Sequence, residues 1–288
     1  SNFMKLEEDI VLIAGPTASG KTRFAIEVAN ANDALIINTD SMQVYRELRV
    51  VSARPDDSEI AQAPHHLFGH VKGDSSYSVA HWLADVKPYL EKGQKLVFVG
   101  GTGLYFNSLL NGLSPMPEIK SDIRDKWRQA SDLTTQELHA KLDPLAAKEL
   151  RPSDTQRVIR ALEVFESTGK SIVEWQELKG ESILPDGMTV KKLLLMPDRS
   201  LLHERINMRF DMMVEEGALE EVKNLYALNY PSHLPVMKAI GVPHLGAYLK
   251  EEVPLITAIE KAKAATRQYA KRQSTWFRNS FGEGWDQV

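Results

Sequence analysis

Gly15-Pro16-Thr17-Ala18-Ser19-Gly20-Lys21-Thr22 is the stretch that decides the fold. It fits G-x-x-x-x-G-K-[ST] at every fixed position. The apolar run Ile10-Val11-Leu12-Ile13-Ala14 before it reads as a buried strand, and residues 23–29 after it read as a helix. Strand, glycine-rich turn and helix are the context a P-loop requires. The glycines let backbone N–H groups converge on an anion, and the helix N-terminus adds its positive end. Lys21 is expected to reach phosphate oxygens, and the Thr22 hydroxyl to ligate Mg²⁺. The loop alone does not choose among ATP, GTP and a pyrophosphate ester.

The chain around this loop has 288 residues, 43% hydrophobic and 26% charged, which is room for one large or two smaller cores. Its net charge of -4 provides no global attraction for nucleic acid, so any such site must be a local basic patch. There is no cysteine, which excludes disulfides and cysteine-ligated zinc and suits a cytoplasmic protein. No apolar run approaches a membrane span, so no membrane partner is expected. Ser1-Asn2-Phe3 precedes Met4 and carries no element of the fold expected here.

Residues 34–38 and 95–99 read as further strands, and residues 190–196 as a fourth. The second strand ends on Asp40-Ser41-Met42-Gln43, where an open α/β sheet gathers its ligands. Asp40 is open to three readings there: general base, water-mediated Mg²⁺ ligand, or turn cap. Gly100-Gly101-Thr102-Gly103-Leu104-Tyr105 is a second glycine-rich turn opening a helix. Its glycines allow close backbone approach, and Thr102 offers a hydroxyl at the strand end. Residues 50–73 read as irregular. The adjacent His65 and His66 lack the i, i+4 spacing of a helical metal pair.

Leu113-Ser114-Pro115-Met116-Pro117 marks an exit from the sheet. Helices follow without a convincing strand: one opened at Ser121, one by the capping-box pattern Thr134-Thr135-Gln136-Glu137, one by Asp143-Pro144, and one running from Asp154 to Gly169. The expected organisation is an α/β core over residues 4–113 and 188–288, with a helical insertion over 114–187. In the helix after Asp154, Val158, Leu162 and Phe165 share a face and Arg157 and Arg160 lie away from it. Arg205 and Arg209 are i, i+4 neighbours on a later helix, placed either to clamp a pyrophosphate or to pair with Glu204 or Asp211. The last helix carries Lys263, Arg267 and Lys271 on one stripe, interleaved with Tyr269, Arg272, Trp276 and Phe277. That mixture fits either a nucleic-acid groove or a charged outer face.

Five segments in this order resemble one family. They are residues 15–22, Asp40-Ser41-Met42-Gln43, residues 100–105, Gln156-Arg157-Val158-Ile159-Arg160-Ala161-Leu162-Glu163 and Lys271-Arg272-Gln273-Ser274-Thr275-Trp276-Phe277-Arg278. Together they are similar to the bacterial tRNA dimethylallyltransferases, also called tRNA isopentenyltransferases. The resemblance implies a P-loop NTPase-like parallel-sheet core of α/β class with a helical insertion that grips the tRNA anticodon loop. It also implies transfer of a dimethylallyl group from its diphosphate to N6 of the adenosine at position 37, in tRNAs reading codons that begin with U. By motif position, Asp40 matches the general base, with Lys21 and Thr102 also in the catalytic set. Gly15, Pro16, Thr17, Ala18, Ser19, Gly20, Lys21, Thr22 and Arg209 match the diphosphate site, with Mg²⁺ on Thr22. Asp40, Ser41, Met42, Gln43, Thr102, Arg124, Gln156, Arg157, Val158, Ile159, Arg160, Lys271 and Arg272 match the tRNA-contacting positions. A cytoplasmic monomer is expected. Gly241-Val242-Pro243-His244 departs from the Gly-Tyr form common in relatives.

Two rival readings make different demands. A P-loop small-molecule kinase would share the loop, the acidic residue and an arginine-bearing lid, but would leave residues 100–105 and 156–160 without a task. A non-catalytic RNA-binding protein would have no need of an intact Lys21-Thr22 or of Asp40. The motif by itself reads as ATP-binding; the resemblance reads it as a site for the diphosphate of a prenyl ester.

Overall fold

The computed structural model describes residues 4–130, 132–178 and 180–288; Ser1-Asn2-Phe3 lies outside them. In chain order the elements are β1 (Ile10–Ala14), α1 (Lys21–Asn32), β2 (Leu35–Asn38), α2 (Asp57–Ile60), β3 (His65–His66), α3 (Val79–Leu90), β4 (Leu96–Gly100) and α4 (Gly103–Asn111). Five helices follow: α5 (Ser121–Arg128), α6 (Thr135–Ala140), α7 (Pro144–Glu149), α8 (Thr155–Thr168) and α9 (Ile172–Glu177). The chain closes with β5 (Val190–Leu194), α10 (Arg199–Glu215), α11 (Ala218–Ala227), a 3-10 turn, α12 (Val242–Leu249), α13 (Leu255–Ser280) and β6 (Asp286–Gln287).

The six strands form one parallel sheet in the order β3-β2-β4-β1-β5-β6. The central strands are buried on both faces, as their unbroken apolar runs require. Two edge strands depart from the sequence expectation. His65 and His66 pair with Ile36 and Ile37, inside a stretch that reads as irregular. Asp286 and Gln287 pair with Leu193 and Leu194 at the opposite edge. Each is two residues long and polar, so neither carries a strand pattern of its own.

The chain divides into two compact units. One comprises the sheet and the C-terminal helices, up to Leu109 and again over Ile183–Val288; the other is Leu110–Ser182. The sequence breaks sit at 113/114 and 187/188; α4 continues through Asn111, so the division falls inside a helix rather than at the prolines. In the helical unit Val158, Ala161, Leu162 and Val164 are buried, whereas Phe165 is 41% exposed. The buried stripe of α8 therefore keeps Val158 and Leu162 and takes Ala161 in place of Phe165. Thr134 and Asp143 accept from the amides of Glu137 and Ala146, and Gly169 ends α8 at φ 71°.

In the sheet unit a half-buried acceptor organises the loop after β2. The Glu221 carboxylate on α11 accepts from the N–H groups of Arg49, Val50 and Val51 at 2.7, 2.9 and 2.8 Å. Gly241 stands beside this loop at φ 101°, where a Cβ would lie 2.9 Å from Val51 Cγ1. Its N–H donates to His244 Nδ1 at 3.2 Å, so the Gly241–His244 segment serves as the N-terminus of α12. Glu221→Ala strands three amides, and charge-assisted bonds of this kind are each worth about 1.5–3 kcal/mol. We expect a loss of about 2–4 kcal/mol in chemical denaturation followed by tryptophan fluorescence, with a smaller loss for Glu221→Gln. An unchanged midpoint for Glu221→Ala would show that the loop is held by other contacts.

Candidate active site

The P-loop leaves the carboxyl end of β1 between β4 and β5. Gly15 N–H donates to Gly100 O at 3.3 Å, and Leu195 N–H donates to Ala14 O at 2.8 Å, so both neighbours fix its root. Within the loop Ser19 N–H donates to Pro16 O, and the backbone turns left-handed at Ala18 (φ 62°) and Gly20 (φ 88°). The N–H groups of Ala18, Gly20, Lys21 and Thr22 have no partner among the described residues. This is the anion-binding form of the motif.

A cavity of about 520 Å³ opens over the loop. Lys21, Thr22, Asp40, Arg205, Arg209 and Tyr269 all line it, as do Phe68, Met208 and Met212. The Lys21 ammonium donates to Pro16 O at 3.2 Å. Burial pulls its pKa down to about 8, partly opposed by the Asp40 carboxylate and assisted by Arg209. Burial also lowers Arg209, with Glu59 and Glu216 opposing. Neither arginine of α10 takes the pairing that spacing allowed. Asp211 binds Lys263 at 2.8 Å instead, and Arg205 donates to Ala18 O at 3.4 Å. Lys21, Arg205 and Arg209 therefore converge on the loop without a direct ion pair among the described residues, although the Asp40 and Glu59 carboxylates line the same cavity.

Asp40 is held by its own neighbourhood. Its Oδ1 accepts from Met42 N–H at 2.7 Å and Gln43 N–H at 3.1 Å, while Oδ2 has no partner among the described residues. The turn-cap reading of Asp40 is thus satisfied by one oxygen and leaves the other free. Asn38, fully buried, anchors the backbone here: its Nδ2 donates to Asp40 O and Leu67 O, and its Oδ1 accepts from Asp40 N–H. Trp82 Nε1 donates to Asn38 O at 2.7 Å. Burial raises the hydroxyls of Tyr105 and Tyr269 to about 12, with the Asp40 charge adding to both. Gln43 is pinned by a bond from its Nε2 to Ser52 O.

A second cavity, about 320 Å³, adjoins the first. The two share Thr17, Ala18, Asp40, Ser52, Ala53, Arg209 and Tyr269 as common lining. Ser41, Met42, Phe210 and Arg272 belong to the second alone.

A family model for IPP transferase matches residues 43–280, and one for isopentenyl transferase matches residues 8–67. The tRNA dimethylallyltransferase of Chelativorans sp. (strain BNC1) is 48% identical over 285 residues, covering 96% of this chain and 97% of that protein. The chain belongs to the tRNA dimethylallyltransferase family. It is accordingly an enzyme. A second relative of that name, from Allorhizobium ampelinum, is 50% identical and covers 97% of this chain and 94% of its own. Among solved structures, the full-length tRNA isopentenylpyrophosphate transferase of Bacillus halodurans is 35% identical, with a TM-score of 0.69, and covers 98% of this chain and 90% of that one. A eukaryotic dimethylallyltransferase acting on tRNA is 26% identical with a TM-score of 0.81, over 98% of this chain and 74% of that one. The P-loop NTPase-like core expected from the sequence is the fold of this family.

The remaining family-matched positions fall in separate places. Thr102 sits in the turn between β4 and α4 and lines neither cavity. Lys271 and Arg272 are exposed on α13 and border a groove with Thr275 and Trp276. The rest of that basic stripe faces inward: Lys263 is 8% exposed and paired with Asp211, and Arg267 donates to Asn207 Oδ1 at 2.6 Å. The basic stripe therefore does not stay on one exposed face of α13.

In the helical unit, Gln156, Arg157 and Arg160 line a cavity of about 640 Å³. Arg124 is exposed on α5 and Ile159 is half-buried. Val158 is fully buried against Leu138 and Leu162, so its side chain packs this unit and cannot touch RNA. Glu163, 1% exposed, stands 3.5 Å from both Arg160 and Arg128.

The lowered pKa of Lys21 makes anion binding pH-dependent. The ammonium is the binding form, and a bound anion raises its pKa. Affinity for an alkyl diphosphate should therefore hold steady at neutral pH and fall as pH rises through about 8. Calorimetric titration over that range tests this; constant affinity through it would place Lys21 outside the anion site.

Proposed function

We propose that this enzyme transfers the dimethylallyl group of dimethylallyl diphosphate to N6 of the adenosine at position 37 in tRNAs reading codons that begin with U. One observation carries the reading: two adjoining cavities share Asp40 and Arg209 as lining, and only one of them also contains Lys21 and Arg205. The first suits a small amphiphile, with Lys21 and Arg209 for an anionic head and Phe68, Met208 and Met212 for a short apolar tail. The second, with Ser41, Met42 and Phe210, suits a planar base. The reacting atoms then meet at the common lining.

The chemistry follows from those positions. As the allylic C–O bond breaks, negative charge grows on the departing diphosphate. The loop amides, Lys21 and Arg209 stabilise that charge without reorganising. The adenine N6 lone pair is delocalised into the ring, so N6 is a weak nucleophile. The Asp40 carboxylate, with Oδ2 free, accepts an N6 proton as the new C–N bond forms. Mg²⁺ suits this site as a substrate-borne ion: no group of three metal-ligating side chains occurs among the described residues, whereas the Thr22 hydroxyl lines the cavity and is unengaged by them. When bound, the ion supplies positive charge to the diphosphate oxygens.

The RNA side uses local charge on an acidic chain. Arg124, Gln156, Arg157 and Arg160 of the helical unit take the anticodon loop, and Lys271 and Arg272 take backbone phosphates. The target base leaves its stack to be modified, at a cost of a few kcal/mol. Bases splayed from a single-stranded loop are where RNA sequence is legible to protein. Among the described residues no helix is long and apolar enough to cross a membrane. The enzyme acts as a monomer in the cytoplasm.

Asp40→Asn tests the proton acceptor cleanly. Asparagine keeps an Oδ1 for the Met42 and Gln43 amides, so the turn survives while the base is lost. Turnover, followed as labelled prenyl transferred to tRNA, should drop by about 10²–10⁴, with tRNA affinity within a few-fold of wild type. A near-normal rate would remove Asp40 as the base.

A further inference from the structure

Gln273 on α13 is joined to the P-loop by a pair of hydrogen bonds. It is 7% exposed. Its Oε1 accepts from Thr17 N–H at 2.9 Å, and its Nε2 donates to Gly101 O at 2.7 Å. One carboxamide therefore ties the loop after β1 to the turn after β4. Gly101 makes room for it: a Cβ there would lie 2.5 Å from Gln273 Nε2 and 3.7 Å from Lys21 Nζ. Amide and ammonium flank the same point at the floor of the anion cavity.

The consequence lies in which amides remain for an anion. Pro16 has no N–H, Ser19 N–H donates to Pro16 O, and Thr17 N–H is taken by Gln273. Those left are Ala18, Gly20, Lys21 and Thr22, at the helix end of the loop. A P-loop serving a nucleoside triphosphate uses its amides on the inner phosphates and its lysine on the outer pair. Here the strand-side donor is already capped, beside that lysine, by a group that presents an oxygen to the amide. A third phosphate reaching Thr17 must displace that oxygen and strand a buried carboxamide. A diphosphate held at the helix end displaces nothing.

We propose that Gln273 is a specificity-determining residue that fits this loop to diphosphates and discriminates against triphosphates by capping the Thr17 amide. The inference rests on the loop being a diphosphate site. It gives the kinase-like motif a physical reason not to act as a nucleotide site.

The test uses the full chain, Mg²⁺, and two simple probes: inorganic pyrophosphate and inorganic tripolyphosphate. Tripolyphosphate carries the larger charge, so electrostatics alone favours it. We expect wild type nonetheless to bind pyrophosphate at least about tenfold more tightly, the scale of one charge-assisted hydrogen bond. Gln273→Met frees the Thr17 amide without opening a cavity and should tighten tripolyphosphate by about tenfold. Gln273→Ala, checked for folding by thermal melting, should move the ratio the same way. Equal binding of the two anions by wild type overturns the inference. So does weakening of both by a common factor in the variants, which is the mark of a merely structural link. Prenyl transfer by wild type is measured separately. Transfer without anion discrimination sinks this inference alone, and discrimination without transfer sinks the functional reading alone.

Discussion

Between Pro16 and Lys21 the backbone must turn its amides inward, and Ala18 does so at φ 62° with a side chain that disfavours it. Such a conformation persists only when its surroundings over-determine it. Here they do: Ser19 N–H closes onto Pro16 O, Arg205 binds Ala18 O, and Gln273 holds Thr17 from the opposite side. The strands either side of β1 fix both of its ends.

Charge is managed with the same economy. The chain is acidic overall, yet Lys21, Arg205 and Arg209 reach one cavity from two helices. Two acidic groups of the C-terminal helices are engaged elsewhere: Asp211 holds Lys263, and Glu221 holds three amides of the loop after β2. Asp40 and Glu59 do line the cavity; one oxygen of Asp40 is committed to its turn, and Glu59 accepts from Asp56 N–H. The Asp40 carboxylate beside Lys21 offsets part of the lowering that burial imposes on that lysine's pKa.

The sequence disclosed the parts whose signal is local. Buried parallel strands show as apolar runs, and the P-loop shows as fixed spacing, so β1, β2, β4 and β5 and the turn between β1 and α1 were legible. The strand at His65–His66 was not, because its partners Ile36 and Ile37 confer the conformation and its own residues do not. The basic stripe of α13 misled for a related reason. Helical spacing says which residues share a face, but not that Asp211 and Asn207 of α10 take Lys263 and Arg267 inward. Phe165 failed similarly, displaced from the buried face by Ala161. Asn38, Glu221 and Gln273 were invisible as supports of the site. Each acts through backbone groups, and for Glu221 and Gln273 these lie more than a hundred residues away. A signal exists only in hindsight: a polar side chain where a buried one is expected.

The fate of the prenyl group is the most direct test of this chemistry. Wild-type protein, Mg²⁺ and labelled dimethylallyl diphosphate would be incubated with an unmodified tRNA bearing three adenosines from position 36, and the nucleosides of the product separated. The expected product is N6-dimethylallyladenosine at position 37, lost when that adenosine is replaced by guanosine and unaffected by omitting ATP. Unlabelled RNA, with ATP consumed once small-molecule acceptors are supplied, would contradict it and make the loop a nucleotide site.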